Sequence, residues 1–456
     1  MKTIKIHFLG AAGTVTGSKY LLETPEQNIM IDCGMFQGLK ELREINWKPL
    51  PIDVSKIDVV LLTHGHLDHT GYLPRLVKEG YRGKIIGTPP TLAITRIILM
   101  DSAKIHEEEA EKANDEGYSK HKPAEPFYSV QEAEVTLGFF QSQERDEWVQ
   151  LSENIKYRFR YNGHIIGATF IELEIFGKAF VFSGDIGREH DLLLSPPEKP
   201  AWADYLFIES TYGNKLHPTE SVTDKLVELV EKTIHNRGNL IIPSFAVERL
   251  QTLMFVLWKL YKENRIPNIP IFIDSAMGNN VLSVFQNFPD WHKLPMKDFN
   301  AMNNRMNIIT SYKQTWETID NPQPKVIIAG SGMVTGGRVL TYLKQMIDKT
   351  NTTVLLVGYQ AEGTRGRQML EGAHELKFFG KYYPVKAQID HIETLSAHAD
   401  QQGLLDWTSE IKNIPEEVFL IHGEPTAQDA LRIKLKDTYG WNVSIPKLFS
   451  VKEILV

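Results

Sequence analysis

A single cysteine, Cys33, occurs in 456 residues, so an intramolecular disulfide framework is excluded and a reducing, cytoplasmic setting is expected. No apolar run approaches the roughly 20 residues that a membrane span needs, and mean hydropathy is −0.25. No membrane partner is expected. The N-terminal MKTIKIHFLGAAGT is too short an apolar run for a signal peptide and reads as a first strand. Positive charge is not in excess either. Lys and Arg number 50 against 57 Asp and Glu, a formal net charge of −7, so any nucleic-acid contact has to use a local basic cleft. No fixed-period repeat or low-complexity tract is present. The remainder, 42% hydrophobic and 23% charged, is that of a soluble globular enzyme, and the length exceeds what one hydrophobic core usually serves. Two domains are expected.

The chain is organised around Leu61 to Gly71, LLTHGHLDHTG. Within six residues it holds His64, His66, Asp68 and His69, whose nitrogens and oxygens are the donors that suit zinc and similar cations. The apolar, β-branched run before it predicts a buried strand ending at His64. Gly65 and Gly71 bracket a tight loop, which lets the four side chains converge on one cavity. This is a metal site.

Taken in order, KIHFLGAAG, SKYLLET and NIMIDCG read as three strands, the third ending at Asp32. After the histidine-rich loop come a short helix, the strand KIIGT and a long helix from Thr91. The loop GYSKHKPAEP and the helix SVQEAEVTLGFFQ follow. His106 and His121 sit in a solvated Glu/Lys mixture and are discounted as ligands. Further strands deliver His164 in a Gly-flanked turn, then Asp185 and Glu209 at strand ends. Asp32, His64, Asp185 and Glu209 thus all lie at carboxyl ends of strands, where α/β sheets collect functional groups. From Tyr212 the pattern becomes regular strand–helix alternation, which predicts a mostly parallel, Rossmann-like second domain near residues 210–371. The tail then resumes with His398 and His422, so the second domain reads as an insertion: 1–209 and 372–456 form the first domain.

Six or seven N/O ligands exceed the needs of one tetrahedral zinc, so two ions are the economical expectation, with Asp185 as the natural bridge. Two such ions can share a hydroxide and clamp the oxygens of a displacement at phosphorus. Zinc is preferred over iron because no thiolate is available and position 66 is histidine. The insertion carries GSGM, Gly330, Ser331, Gly332 and Met333, followed by Thr335, Gly336, Gly337 and Arg338. Glycines between a strand and a helix let backbone N–H groups approach phosphate oxygens. Ser244, Arg365 and Arg367 stand at the same strand-end level and suggest a polyanion track.

With these motifs in place, the chain resembles the metallo-β-lactamase superfamily, specifically the β-CASP branch of RNA-processing nucleases related to the pre-mRNA 3′-end endonuclease. Asp32 matches the first superfamily motif, THGHLDH the second, His164 the third and Asp185 the fourth. Glu209 in FIESTYGN, His398 in LSAHAD and His422 in LIHGE match the three motifs particular to the β-CASP branch. The resemblance implies an αββα sandwich with an inserted Rossmann-like β-CASP domain. It also implies one zinc on His64, His66 and His164, another on Asp68, His69 and His422, and Asp185 bridging both. Asp32 would orient a ligand histidine. Asp68, Asp185, Glu209 and His398 would form the catalytic set, with His398, paired to Glu209, protonating the leaving oxygen. The partner implied is single-stranded RNA in the groove between domains, cleaved endonucleolytically or exonucleolytically; a homodimer is left open. Three alternatives are weighed. A small-molecule hydrolase of the lactamase or glyoxalase type would not explain the large inserted domain. A DNA-directed β-CASP nuclease is disfavoured because that branch has valine at the position of His422. A non-catalytic RNA-binding homologue is disfavoured by the complete ligand set.

Overall fold

The structure is a computed structural model that describes residues 2–117, 121–218 and 221–456. The expected loop at 117–126 falls partly on residues 118–120, outside the described residues. The chain divides into two units: Met1–Leu216 with His398–Val456, and His217–Ala397.

The first unit holds two seven-stranded sheets. In one, Thr3–Phe8, Tyr20–Glu23 and Asn28–Ile31 form an antiparallel meander, and Val59–Leu61, Lys84–Gly87 and Phe140–Ser142 extend it in parallel. In the other, Ile155–Tyr161, Thr169–Ile175 and Lys178–Phe182 are antiparallel, while Tyr205–Glu209 and Glu417–Ile421 continue in parallel. Alternation sets which face each strand buries. Ile4, Ile6 and Phe8 point inward from the first sheet, as do Ile155, Tyr157 and Phe159 from the second. These inner faces meet in one core, where Phe182 and Phe207 stack at 4.0 Å. The outer face of the first sheet is covered by the helices Leu73–Lys78, Pro89–Asp115 and Val130–Leu137. That of the second is covered by Gln401–Thr408 and Pro425–Tyr439. The result is an αββα sandwich, and the parallel strands end where the ligand-bearing loops begin.

The second unit is built on six parallel strands. Their order is Asn307–Ile308, Ile271–Asp274, Lys325–Ala329, Asn239–Pro243, Thr352–Val357 and Gln388–Ile392. Thr352–Val357 is buried along its whole length, as a strand covered on both faces requires. Among the described residues, no helix is long and apolar enough to cross a membrane.

Two sequence expectations differ from the structure. The insertion runs to Ala397 and not to 371, because Gln388–Ile392 pairs in parallel with Thr352–Val357 and completes the inserted sheet. The helix expected through Phe140 ends at Leu137, and Phe140–Ser142 joins the first sheet as an edge strand. Neither segment carries an apolar pattern strong enough to settle its role, and tertiary pairing decides.

Candidate metal centre and nuclease site

Five strand ends and two turns of the first unit bring the histidine-rich loop, Asp32, His164, Asp185, Glu209, His398 and His422 together. The loop stays close to its neighbours because Gly34 has no side chain: a Cβ there would stand 1.6 Å from the Asp68 carbonyl oxygen. Asp32 and His422 adopt φ of 55° and 47°, a region that non-glycine residues enter at a cost and that clusters at functional sites.

Two donor groups share Asp185. Nε2 of His64 and of His164 lie 3.5 and 3.4 Å from its Oδ2. Nδ1 of His66 is 3.1 Å from Nε2 of His64 and 3.3 Å from Nε2 of His164. On the other side, Nε2 of His69 lies 3.3 Å from Asp185 Oδ1, and Nε2 of His422 lies 3.3 Å from Asp68 Oδ2. The donor atoms of His64, His66, His164 and Asp185 all lie within 4.8 Å of one another, as do those of Asp68, His69 and His422, and those of Asp185, Glu209 and His398. Asp185 Oδ1 is buried and makes no well-directed hydrogen bond among the described residues, its nearest ring nitrogens being His69 Nε2 at 3.3 Å and His422 Nδ1 at 3.5 Å. A dry carboxylate oxygen without a well-directed donor is costly, so this atom fits contact with a cation. Closely spaced imidazole nitrogens and carboxylate oxygens are a divalent-metal donor set.

The charges agree. Burial, together with the neighbouring imidazoles, pushes His64 and His164 well below the usual histidine range, and burial brings His66 to about 4. These imidazoles are neutral at pH 7, the form that binds metal. Burial opposes ionisation of Asp185, yet the surrounding histidines hold it well below the ordinary carboxylate range. In the metal-free protein His69 behaves differently, since Asp185 and Asp32 outweigh burial and raise it. Cation binding therefore displaces a proton from this ring.

The ligand rings are oriented from behind. Asp32 Oδ2 lies 2.7 Å from Nδ1 of His69 and accepts the Thr63 hydroxyl at 2.7 Å. Asp32 Oδ1 accepts the Thr63 amide at 2.8 Å. The Thr63 hydroxyl is in turn 3.1 Å from Nδ1 of His64. Asp32 thus steadies His69 directly and His64 through Thr63, leaving both Nε2 atoms for the centre. Thr211 Oγ1, 3.1 Å from Nδ1 of His422, does the same there. Thr63 and Thr211 are missing from the sequence reading; their one signal is a hydroxyl residue adjoining a motif. Replacing Asp32 with asparagine is expected to weaken metal affinity about 10–100-fold. Chelator competition would measure this, and unchanged affinity would deny Asp32 its orienting role.

His398 stands at the edge of this set. Its Nδ1 is 3.1 Å from both Glu209 oxygens, while its Nε2 is 4.0 Å from Asp185 Oδ2. Glu209 is fully buried, and its Oε1 also accepts the Ile186 amide at 2.6 Å. Burial works against a charge on His398, but Glu209 and Asp185 outweigh it and raise the imidazole to about 9. An imidazolium held by a buried carboxylate is a proton donor.

His106 packs edge-on against Phe127 and Tyr128, apart from this cluster. The candidate RNA residues lie in the second unit, where Ser244, Gly330 and Gly358 follow three adjacent strands. The loops from two of these strands bind each other. Gln360 donates to the Gly332 carbonyl at 3.2 Å and the Gly366 amide to the Met333 carbonyl at 3.1 Å. The Ser331 hydroxyl accepts the Thr335 and Gly336 amides at 3.0 and 3.2 Å, and the Ser244 hydroxyl donates to the Phe245 carbonyl at 3.0 Å. The arginines are engaged as well. Arg365 donates to the carbonyls of Lys377, Val334 and Thr335, Arg367 pairs with Glu371, and Arg338 donates to the Thr315 hydroxyl at 2.6 Å. Arg365 in particular is a clasp between loops, since three carbonyls take its N–H groups.

Comparison with known proteins agrees with this geometry. The chain matches the metallo-beta-lactamase superfamily over residues 12–138 and the Beta-Casp domain over 250–369. Residues 382–446 match the Zn-dependent metallo-hydrolase RNA specificity domain. It is 34% identical over 447 residues to a ribonuclease of Thermus thermophilus, covering 96% of this chain and 97% of that one. It is 31% identical over 426 residues to an RNase J-like protein of Methanocaldococcus jannaschii, covering 92% and 93%. It is also 30% identical over 444 residues to the transcription termination factor FttA of Methanosarcina mazei, covering 93% and 67%. A crystal structure of a protein of unknown function from Enterococcus faecalis shares the fold, with a TM-score of 0.54, 12% identity and coverage of 99% and 100%.

Proposed function

This chain belongs to the β-CASP branch of the metallo-β-lactamase superfamily, and on that premise we propose that it is a zinc-dependent ribonuclease hydrolysing phosphodiester bonds of single-stranded RNA. The observation that carries this reading is Asp185, whose Oδ2 faces the His64 and His164 nitrogens while its Oδ1 faces His69 and His422. His64, His66, His164 and Asp185 Oδ2 would hold one Zn2+, and Asp68, His69, His422 and Asp185 Oδ1 a second. Bound there, the ions would supply hydroxide at neutral pH and neutralise charge on the phosphodiester.

The chain's own residues do the rest. Asp32, Thr63 and Thr211 fix the ligand rings. Asp68 and His66, the more exposed members of the set, border the opening through which a substrate phosphate enters. Glu209 holds Nδ1 of His398, so that Nε2 carries the proton offered to the departing ribose oxygen. The wholly buried Glu209 cannot easily play the nucleophile, which leaves it the orienting role.

The experiment joins composition to activity. Elemental analysis should find close to two zinc atoms per chain, and the purified protein should degrade 5′-labelled single-stranded RNA. Cleavage of a circular RNA would show endonuclease action. Full activity with one zinc or none would remove the two-ion reading.

A further inference from the structure

An exposed aromatic pair in the second unit has no explanation in the fold. Tyr312 and Trp316 lie one turn apart on the helix Tyr312–Asp320, with Thr315 and Thr318 on its buried side. Tyr312 is 54% exposed and Trp316 is 42% exposed. Two large rings left in water on one helical face forfeit burial that a core position would provide, and such patches mark recognition sites.

What surrounds Tyr312 indicates the ligand. The Arg338 guanidinium carbon sits 4.0 Å from the centre of the ring, so the cation covers one face and the other faces outward. The cation is tethered. Arg338 donates to the Thr315 hydroxyl, which donates to the buried Asp274 at 2.7 Å, and the Tyr342 hydroxyl donates to the same carboxylate oxygen at 2.8 Å. The Tyr312 hydroxyl is itself 3.4 Å from the Thr341 hydroxyl, which pins the ring against the helix Val339–Met346. The assembly stands where the strands Ile271–Asp274, Asn307–Ile308 and Lys325–Ala329 end, beside the Gly330–Arg338 turn. Functional surfaces of parallel sheets form at such edges.

A flat ring backed by a positive charge suits a flat, electron-rich partner on an anionic chain: a nucleobase of a single strand. Arg338 is turned against the ring and toward Thr315, not outward as a free phosphate fork. We propose that Tyr312, backed by Arg338, and Trp316 form a base-stacking platform for single-stranded RNA. The platform is tolerant of sequence, because every base has a π face. This proposal rests on the ribonuclease reading above.

The test uses full-length, zinc-loaded protein and two phosphorothioate dodecamers that resist cleavage, one an RNA and one an abasic ribose-phosphate chain. Loss of one stack is expected to raise the Kd of Tyr312→Leu for the RNA about tenfold. Its affinity for the abasic chain and its salt slope should stay at wild-type values, since no counterion release is altered. Tyr312→Phe should bind as the wild type does, and Trp316→Leu should lose affinity in the same base-dependent way. A Tyr312→Leu protein that binds the RNA normally, or loses equally on both oligomers, overturns the platform. Hydrolysis of single-stranded RNA by the wild type separates the two readings. If the wild type cleaves RNA and Tyr312→Leu binds it normally, only the platform falls. If the wild type neither binds nor cleaves RNA, both fall.

Discussion

Asp185→Ala is expected to release both metal ions and lower RNA cleavage by more than about 10³-fold, the scale of several kcal/mol of lost electrostatic stabilisation. Among the described residues, Asp185 is the side chain whose carboxylate pairs with histidines of both donor groups. Its Oδ2 lies 3.4–3.5 Å from the His64 and His164 nitrogens, and its Oδ1 lies 3.3 Å from His69 Nε2. Removing it takes one ligand from each group and the negative charge that faces four imidazoles. Asp185→Asn is the sharper variant. Its amide keeps the shape but offers one oxygen and an NH2 in place of the second, so one donor group should fail before the other. Elemental analysis with single-turnover cleavage reads both effects. Retention of two ions by Asp185→Ala would mean that the groups do not depend on a shared carboxylate.

The metal loop was legible in the sequence because its donors are local. Four candidate donors within six positions, after a β-branched run, need no tertiary knowledge. Asp32, Asp185, Glu209 and His422 were legible for a related reason: each ends a buried strand or follows one within three residues, and a polar residue there is conspicuous. Their partners were not. Glu209 and His398 are 189 positions apart, and His422 lies 354 positions from Asp68, so only the fold brings each pair within 3.3 Å.

Side-chain hydrogen bonds leave no periodicity in a sequence, which explains the absence of Thr63 and Thr211. The same blindness affects charge. Arg365 reads as a phosphate contact on composition, and the sequence does not show that its Nε and Nη1 donate to three backbone carbonyls. The domain boundary failed for a different reason. The run QIDHI suits either sheet, and only its parallel register with Thr352–Val357 assigns it to the insertion.

His398→Ala is expected to retain both ions and near-normal RNA binding while losing roughly 10²–10⁴-fold in cleavage rate, the usual scale for general acid catalysis. The ring points Nδ1 at Glu209, and its Nε2 remains 4.0 Å from Asp185, against 3.3–3.5 Å for His64, His69, His164 and His422. If His398 were a ligand, zinc would fall along with activity. Normal turnover at normal zinc would leave it with no catalytic role. Glu209→Gln gives a second reading through the proton itself. In metal-free protein the carboxylate helps raise His398 from 6.5 to about 9, so an NMR titration of the ring should move down in the variant. The sign for stability follows. A raised histidine stabilises the fold fully below about pH 6.5, and that contribution disappears as pH climbs through about 9. Metal-free wild type should therefore lose stability across that window, and metal-free Glu209→Gln should lose less of it. With zinc bound as proposed, the added positive charge would disfavour the imidazolium and lower its pKa from the metal-free value. The alkaline limb of the single-turnover cleavage profile should accordingly lie at lower pH than the metal-free titration of the same ring.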